Sequence, residues 1–295
     1  MRLVRKYKDG RKDHDLHTII STSSSGLPKW RQSPIDLKAT DTWTQKFPPL
    51  LLTGYWLKHG KATMTNTGKT GSYKSSHNLT KNVSLNHLRY FIVNIELLDQ
   101  STNPYLRGGP LSEDEFKLKN VQFRWGPSDC QGAEHSINSV YYSMEAQALH
   151  WNTRYGSLEK CYDKSDGIAI LSYLMQVVGC KGMSDNPTVS RVTDHLPKIK
   201  KTGSSVTVTP DCLWWILQAC AAPGYFTYQG SLTVSPYNEC VIWIIISHAI
   251  KISSRQMDAF RNIYDYKWDP IVSNYRPQQL GCGRRILYAT DYSIV

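Results

Sequence analysis

The sequence predicts a mainly β (α+β) fold in a single domain over residues 26–290, behind a basic flexible tail at 1–25. Three observations carry this expectation. Apolar runs of strand length recur between Gly and Pro punctuation. One segment alone combines helical spacing with an N-terminal cap. No internal repeat and no second change of composition divides the 295 residues, a length that suits one large domain.

The elements follow in order. The tail carries Arg2, Arg5, Lys6, Lys8, Arg11 and Lys12 and ends in Ser21-Thr22-Ser23-Ser24-Ser25-Gly26, which reads as a solvated or polyanion-binding arm. Strand-like runs then lie at Tyr90 to Leu97, Val121 to Trp125, Gln147 to Trp151, and Ile168 to Met175, the last followed by Val177-Val178. Cys212 to Pro223, with Trp214-Trp215, is unusually apolar and reads as packed core or, alternatively, as a surface patch for a partner. The longest apolar run, Cys240 to Ile246, is too short to span a bilayer, which needs about 20 residues. Its β-branched content predicts a buried strand. Ser253 to Arg261 predicts a helix capped by serine, with Met257, Phe260 and Arg261 at helical spacing.

Composition narrows the class. With 40% hydrophobic and 20% charged residues, the chain can bury a sizeable core, which argues against a disordered, collagen-like or disulfide-framework protein. Lys+Arg 35 against Asp+Glu 24 leaves +11, suited to nucleic acid, an acidic polysaccharide or an anionic membrane face. The seven cysteines are odd in number and form no CxxC pair, so zinc-ribbon and thioredoxin-like spacings are absent and scattered thiols in a reducing compartment are expected. Met1 to Lys8 is basic with no apolar segment behind it, so no secretory leader is read and a cytoplasmic location is expected. The sequons at Asn78 and Asn82 matter only in a secreted protein.

Seven segments together resemble the α-class carbonic anhydrases. They are Gln32-Ser33-Pro34-Ile35-Asp36-Leu37, Gly108-Gly109-Pro110-Leu111, Gln131-Gly132-Ala133-Glu134-His135-Ser136, Leu149-His150-Trp151-Asn152, Gly230-Ser231-Leu232-Thr233, Glu239-Cys240-Val241-Ile242-Trp243 and Asn274-Tyr275-Arg276-Pro277. They stand in the family's order over roughly residues 28 to 290. The resemblance implies a central twisted, mostly antiparallel sheet with short peripheral helices. It also implies a conical cleft holding zinc in active members, on three histidines from two neighbouring strands. Two of these stand at i and i+2, because alternate strand residues share a face. Such a site leaves one position open for a water whose pKa falls to about 7.

In this sequence the three ligand positions match Gln122, Arg124 and Gln147, and none of the nine histidines forms an i, i+2 pair. Amides are poor zinc ligands here and a guanidinium cannot coordinate. Arg124 is expected to supply in part the positive charge of the missing metal. Glu145 matches the carboxylate that supports the third histidine; without that histidine it can pair with Arg124, the alternative being that Arg124 turns outward into a wet cleft. His135 and His150 match structural histidines and are expected to be hydrogen-bonded in the core. Thr233 matches the threonine that orients zinc hydroxide, Glu134 its acidic partner, and Lys69 the proton-shuttle histidine. A lysine, with a pKa near 10, is a poor shuttle at neutral pH. The wall that receives carbon dioxide matches Leu149, Ile170, Leu232, Val241 and Trp243, bulkier in places and able to fill the pocket.

The chain also departs from the family. Residues 71–91 read as an insertion, either an exposed loop at the cleft mouth or retained non-coding sequence. The cysteine pair of secreted members is missing, its later position being Tyr237. These readings lead to a carbonic anhydrase-related protein without catalytic residues, zinc or another cofactor. It is expected to be monomeric and without a transmembrane segment, and to act by binding another protein. Two alternatives are residual or unorthodox carbonic anhydrase or esterase activity through Thr233 or Glu134, and polyanion binding through Lys198, Lys200, Lys201 and the tail.

Overall fold

The computed structural model describes residues 30–55, 60–68, 93–98, 104–179, 184–219 and 224–290. The basic tail, the insertion at 71–91 and Lys69 lie outside the described residues. The strands are β1 (Asp36–Leu37), β2 (Thr42–Gln45), β3 (Leu50–Thr53), β4 (Ala62–Asn66), β5 (Val93–Leu97), β6 (Tyr105–Gly108), β7 (Phe116–Trp125) and β8 (Ser136–Ile137). They continue as β9 (Met144–Asn152), β10 (Ile168–Val177), β11 (Ser205–Val208), β12 (Gly224–Gly230), β13 (Val241–Ile252) and β14 (Ile286–Thr290), with helices α1 (Pro187–Thr193), α2 (Trp215–Ala219) and α3 (Ser254–Arg261).

A mixed, twisted sheet of 12 strands dominates the described residues, in the order β11-β4-β5-β7-β9-β10-β13-β12-β14-β2, with β6 also on β7 and β3 on β6. The pairs are antiparallel except β13 on β10 and β2 on β14. The strands read from apolar runs all form, and each is longer in at least one direction than its run or begins later. Val121 to Trp125 is the buried half of β7, whose first half alternates buried and half-buried. The β10 and β13 runs are buried on both faces, which is why they read as continuous rather than alternating. Only Val93 to Leu97 of the Tyr90 run is a described strand.

Two apolar clusters lie on the two faces of the sheet. One contains Phe123, Ala146, Leu171, Tyr173 and Ile244 together with Trp215, Met257 and Phe260 from the helices. The other contains Ile35, Leu149, Ile170, Tyr228, Leu232 and Trp243. The apolar segment from Cys212 resolves to packed core: Cys212, Leu213, Trp215 and Ile216 are all buried. Ser253 caps α3 as the sequence predicts, and Gln256 reaches back to complete the capping box. No helix among the described residues is long and apolar enough to cross a membrane.

Candidate functional site

The site is built on three adjacent strands. In the register, Gln122 on β7 faces Gln147 on β9, which faces Ser172 on β10, and Arg124 faces Glu145. Period-two alternation then puts Asn120, Gln122, Arg124, Glu145, Gln147 and Ser172 on one face. The same register aligns Leu149, Ile170 and Trp243 across β9, β10 and β13, so the predicted wall flanks the predicted ligand positions. Leu149, Ile170, Leu232, Val241 and Trp243 are all buried and belong to one cluster.

Where the resemblance places a metal, the side chains bond to one another. Gln122 donates through Nε2 to Asn120 Oδ1 at 2.9 Å and accepts through Oε1 from Arg124 Nη2 at 3.2 Å. Arg124 Nε lies 3.2 Å from Glu134 Oε1, with both side chains almost fully buried. Gln147 Nε2 donates to Glu134 Oε2 at 2.7 Å and to Glu145 Oε1 at 2.9 Å. The backbone N–H of Arg276 donates to Glu134 Oε1 at 2.9 Å.

The expected ion pair between Arg124 and Glu145 is therefore corrected: the carboxylate that pairs with Arg124 is Glu134. Glu145 has its capacity taken up elsewhere. Its Oε2 accepts the backbone N–H groups of Glu134 and His135, both at 2.9 Å. Its Oε1 meets His135 Nδ1 at 3.0 Å and accepts from Ser172 Oγ at 2.7 Å as well as from Gln147. The backbone donors reach Glu145 because Gly132 lets the 131–136 segment approach β9, where a Cβ on it would stand 2.0 Å from the Ser143 carbonyl oxygen. Burial would raise the Glu145 carboxyl, but the His135 ring and these donors outweigh it and bring it down to about 2.

Both structural histidines are in the core and hydrogen-bonded. His135 Nε2 meets the Tyr228 hydroxyl at 2.7 Å, and that hydroxyl donates to Ser33 Oγ at 3.0 Å. His150 is bonded to the Tyr55 hydroxyl and to the Ala169 carbonyl. Burial pushes the His150 ring down to about 4, against the opposing pull of its bonds to the Ala169 and Ala148 backbone. Thr233 is buried, yet among the described residues no hydrogen bond joins it to Glu134, whose oxygens serve Arg124, Gln147 and Arg276.

Sequence reasoning did not find Asn120, Ser172, Tyr228 and Arg276. Asn120 had a readable signal, since it stands two residues before Gln122 on the same strand face. The others arrive from register and loop packing, which no local pattern encodes. Arg276 also lays its guanidinium 4.0 Å over the Tyr237 ring, at the position where secreted relatives would carry a cysteine.

The donor set does not suit zinc. One of the three positions is a guanidinium, which carries its own charge and no lone pair to give. The other two are amides whose nitrogens and, for Gln122, whose oxygen are spent on neighbours. Among the described residues no group of three His, Cys, Asp or Glu side chains could hold a metal ion. Chemically the arrangement stores one buried cation against one buried carboxylate, with a second carboxylate held by His135.

Comparison with known proteins bears on the whole chain. A family model for eukaryotic-type carbonic anhydrases matches residues 22–290. Carbonic anhydrase 3 of Sus scrofa is 32% identical over 280 residues, covering 92% of this chain and 91% of that protein. The Homo sapiens protein of the same name is 34% identical over 181 residues, 59% of this chain and 65% of its own length. The Mus musculus one is 34% identical over 186 residues, 61% and 67%.

Proposed function

This chain belongs to the eukaryotic-type carbonic anhydrase family, and from that premise we propose that it is a non-catalytic member, a carbonic anhydrase-related protein that acts by binding another protein. One observation carries the reading: Arg124, which the resemblance matches to a zinc-ligand position, is tied to Gln122 and Glu134 in the buried interior. A guanidinium fixed there repels a divalent cation and blocks the place where a metal-bound water would form. Without that water at a pKa of about 7, no hydroxide is supplied for attack on carbon dioxide at neutral pH.

The surrounding groups support the same conclusion. Glu134 is committed to structural hydrogen bonds, so it is not poised over Thr233 as an acid–base pair. The wall residues Leu149, Ile170, Leu232, Val241 and Trp243 are buried in one apolar cluster. No zinc and no other cofactor is assigned to the protein. The cytoplasm is its proposed location and the monomer its proposed state. Among the described cysteines, Cys130, Cys161, Cys212, Cys240 and Cys282 are free thiols, which fits a reducing compartment.

A stopped-flow carbon dioxide hydration assay, run with and without added zinc, tests the proposal. The uncatalysed rate is expected in both cases. A zinc-dependent acceleration would overturn it and restore the enzymatic reading. The binding half is tested by affinity capture from cytosol followed by reconstitution of the captured protein with purified chain. A saturable complex is expected, and failure of every captured candidate to rebind the pure chain counts against it.

A further inference from the structure

The loop at 264–270 and the segment at 198–201 bring lysines and exposed aromatic rings together. Residues 264–270 close into a tight loop: Tyr264 and Pro270 form a β-bridge, and Asp265 N–H donates to the Asp269 carbonyl at 3.0 Å. Asp265 Oδ1 accepts the N–H groups of Lys267 and Asp269 at 2.8 and 3.1 Å, so this carboxylate is turned onto the loop's own backbone. At the tip stand Tyr266, 62% exposed, and Trp268, 58% exposed, where Trp268 is held at positive φ and braced by the Tyr264 ring at 5.9 Å. The Lys267 ammonium lies 5.6 Å from the Tyr266 ring centroid.

The loop is tied to a second basic segment. Tyr264 N–H donates to the Lys200 carbonyl at 2.9 Å. Asn66 Nδ2 bonds both the Lys200 and the Tyr264 carbonyls, at 2.9 and 3.0 Å, and Thr202 Oγ1 donates to the Tyr264 carbonyl at 3.1 Å. Lys198, Lys200 and Lys201 are all exposed beside this clasp, and none of the three forms an ion pair among the described residues. The backbone is thus tied down by hydrogen bonds, and the side chains displayed there are four lysines and two large amphipathic rings, with the exposed Asp269 as the acidic residue among them.

We propose that Lys198, Lys200, Lys201 and Lys267 with Tyr266 and Trp268 form a docking surface for a bilayer carrying anionic phospholipid. The lysines supply attraction to acidic headgroups. The indole and phenol are the side chains that settle at headgroup depth, apolar body inward and polar edge outward. A soluble acidic polysaccharide engages lysines of this kind too; the bilayer differs in drawing Tyr266 and Trp268, both exposed at the tip of one loop, to headgroup depth together with the lysines, and it is the partner proposed. The net charge of +11 adds long-range attraction toward the same target.

Co-sedimentation of the full chain with phosphatidylcholine vesicles, with and without phosphatidylserine, tests this. Binding is expected only with phosphatidylserine and is expected to fall as salt rises. The variants K198E/K200E/K201E and Y266S/W268S are each expected to weaken it by at least about tenfold, with circular dichroism unchanged because all five positions are exposed. No binding to phosphatidylserine vesicles overturns the proposal. Binding that both variants leave intact also overturns it and places the contact on another surface, such as the basic tail. Loss on lysine reversal with full retention in Y266S/W268S overturns the surface as proposed, because the rings then add nothing to a purely electrostatic contact.

Discussion

Arg124 is a cation at 1% exposure with a carboxylate 3.2 Å away, and most of what distinguishes this molecule follows from it. Removing one member of a buried pair leaves the other charge uncompensated, so Arg124→Ala is expected to destabilise the fold by about 3–5 kcal/mol. Replacing both partners, Arg124→Met with Glu134→Gln, is expected to cost clearly less. Urea midpoints at constant slope compare the two. His150 gives a second residue-scale expectation. Its ring titrates near 6.5 when unfolded and near 4 when folded. The folded state therefore binds fewer protons between those values. The stabilisation is complete above pH 6.5 and is lost as pH falls toward 4, about 3 kcal/mol in all. Glu145, lowered from 4.5 to about 2, adds a separate loss below pH 4.5. Stability measured from pH 7 to 4.5 is expected to decline in wild type and to decline less in His150→Gln. Equal slopes would remove His150 as the cause.

At the scale of elements, what the sequence made legible was whatever local pattern decides. The cap and spacing of α3 announced a helix, and Ser253→Ala is expected to cost about 1 kcal/mol because the Gln256 N–H loses its acceptor. The buried runs of β10 and β13 announced strands because both faces are apolar. Truncating Ile244, which is fully buried, is expected to cost about 2–5 kcal/mol by thermal or urea unfolding. Strands such as β2, β4 and β11 carried no comparable signal. They are short and rich in threonine and serine, and the sheet recruits them through pairing with their neighbours β14, β5 and β4. β4 and β5 are antiparallel partners, with Asn66 opposite Val93, while the candidate insertion at 71–91 lies outside the described residues. The ligand positions were readable because Trp125-Gly126 and Leu149-His150-Trp151 fix their count along the chain. The pairing of Arg124 was not, because Glu145 is on strand β9 while Glu134 arrives from the 131–136 segment, whose close approach at Gly132 no local pattern announces.

Across the described residues, one sheet separates two cores, and the polar network sits on the face that also carries the apolar wall. The family's fold is present, with an internal ion pair where the resemblance places a metal. Restoring histidine at 122, 124 and 147 together is expected to create zinc binding, since the strand register that aligns these positions is intact. Restoring 122 and 147 while keeping Arg124 is expected to leave the site empty. The most direct measurement is the zinc content of the purified, unmodified chain after equilibration with excess zinc and removal of loosely held metal. The account predicts far less than one zinc per chain. One zinc per chain, bound tightly and accompanied by carbon dioxide hydration, would contradict it.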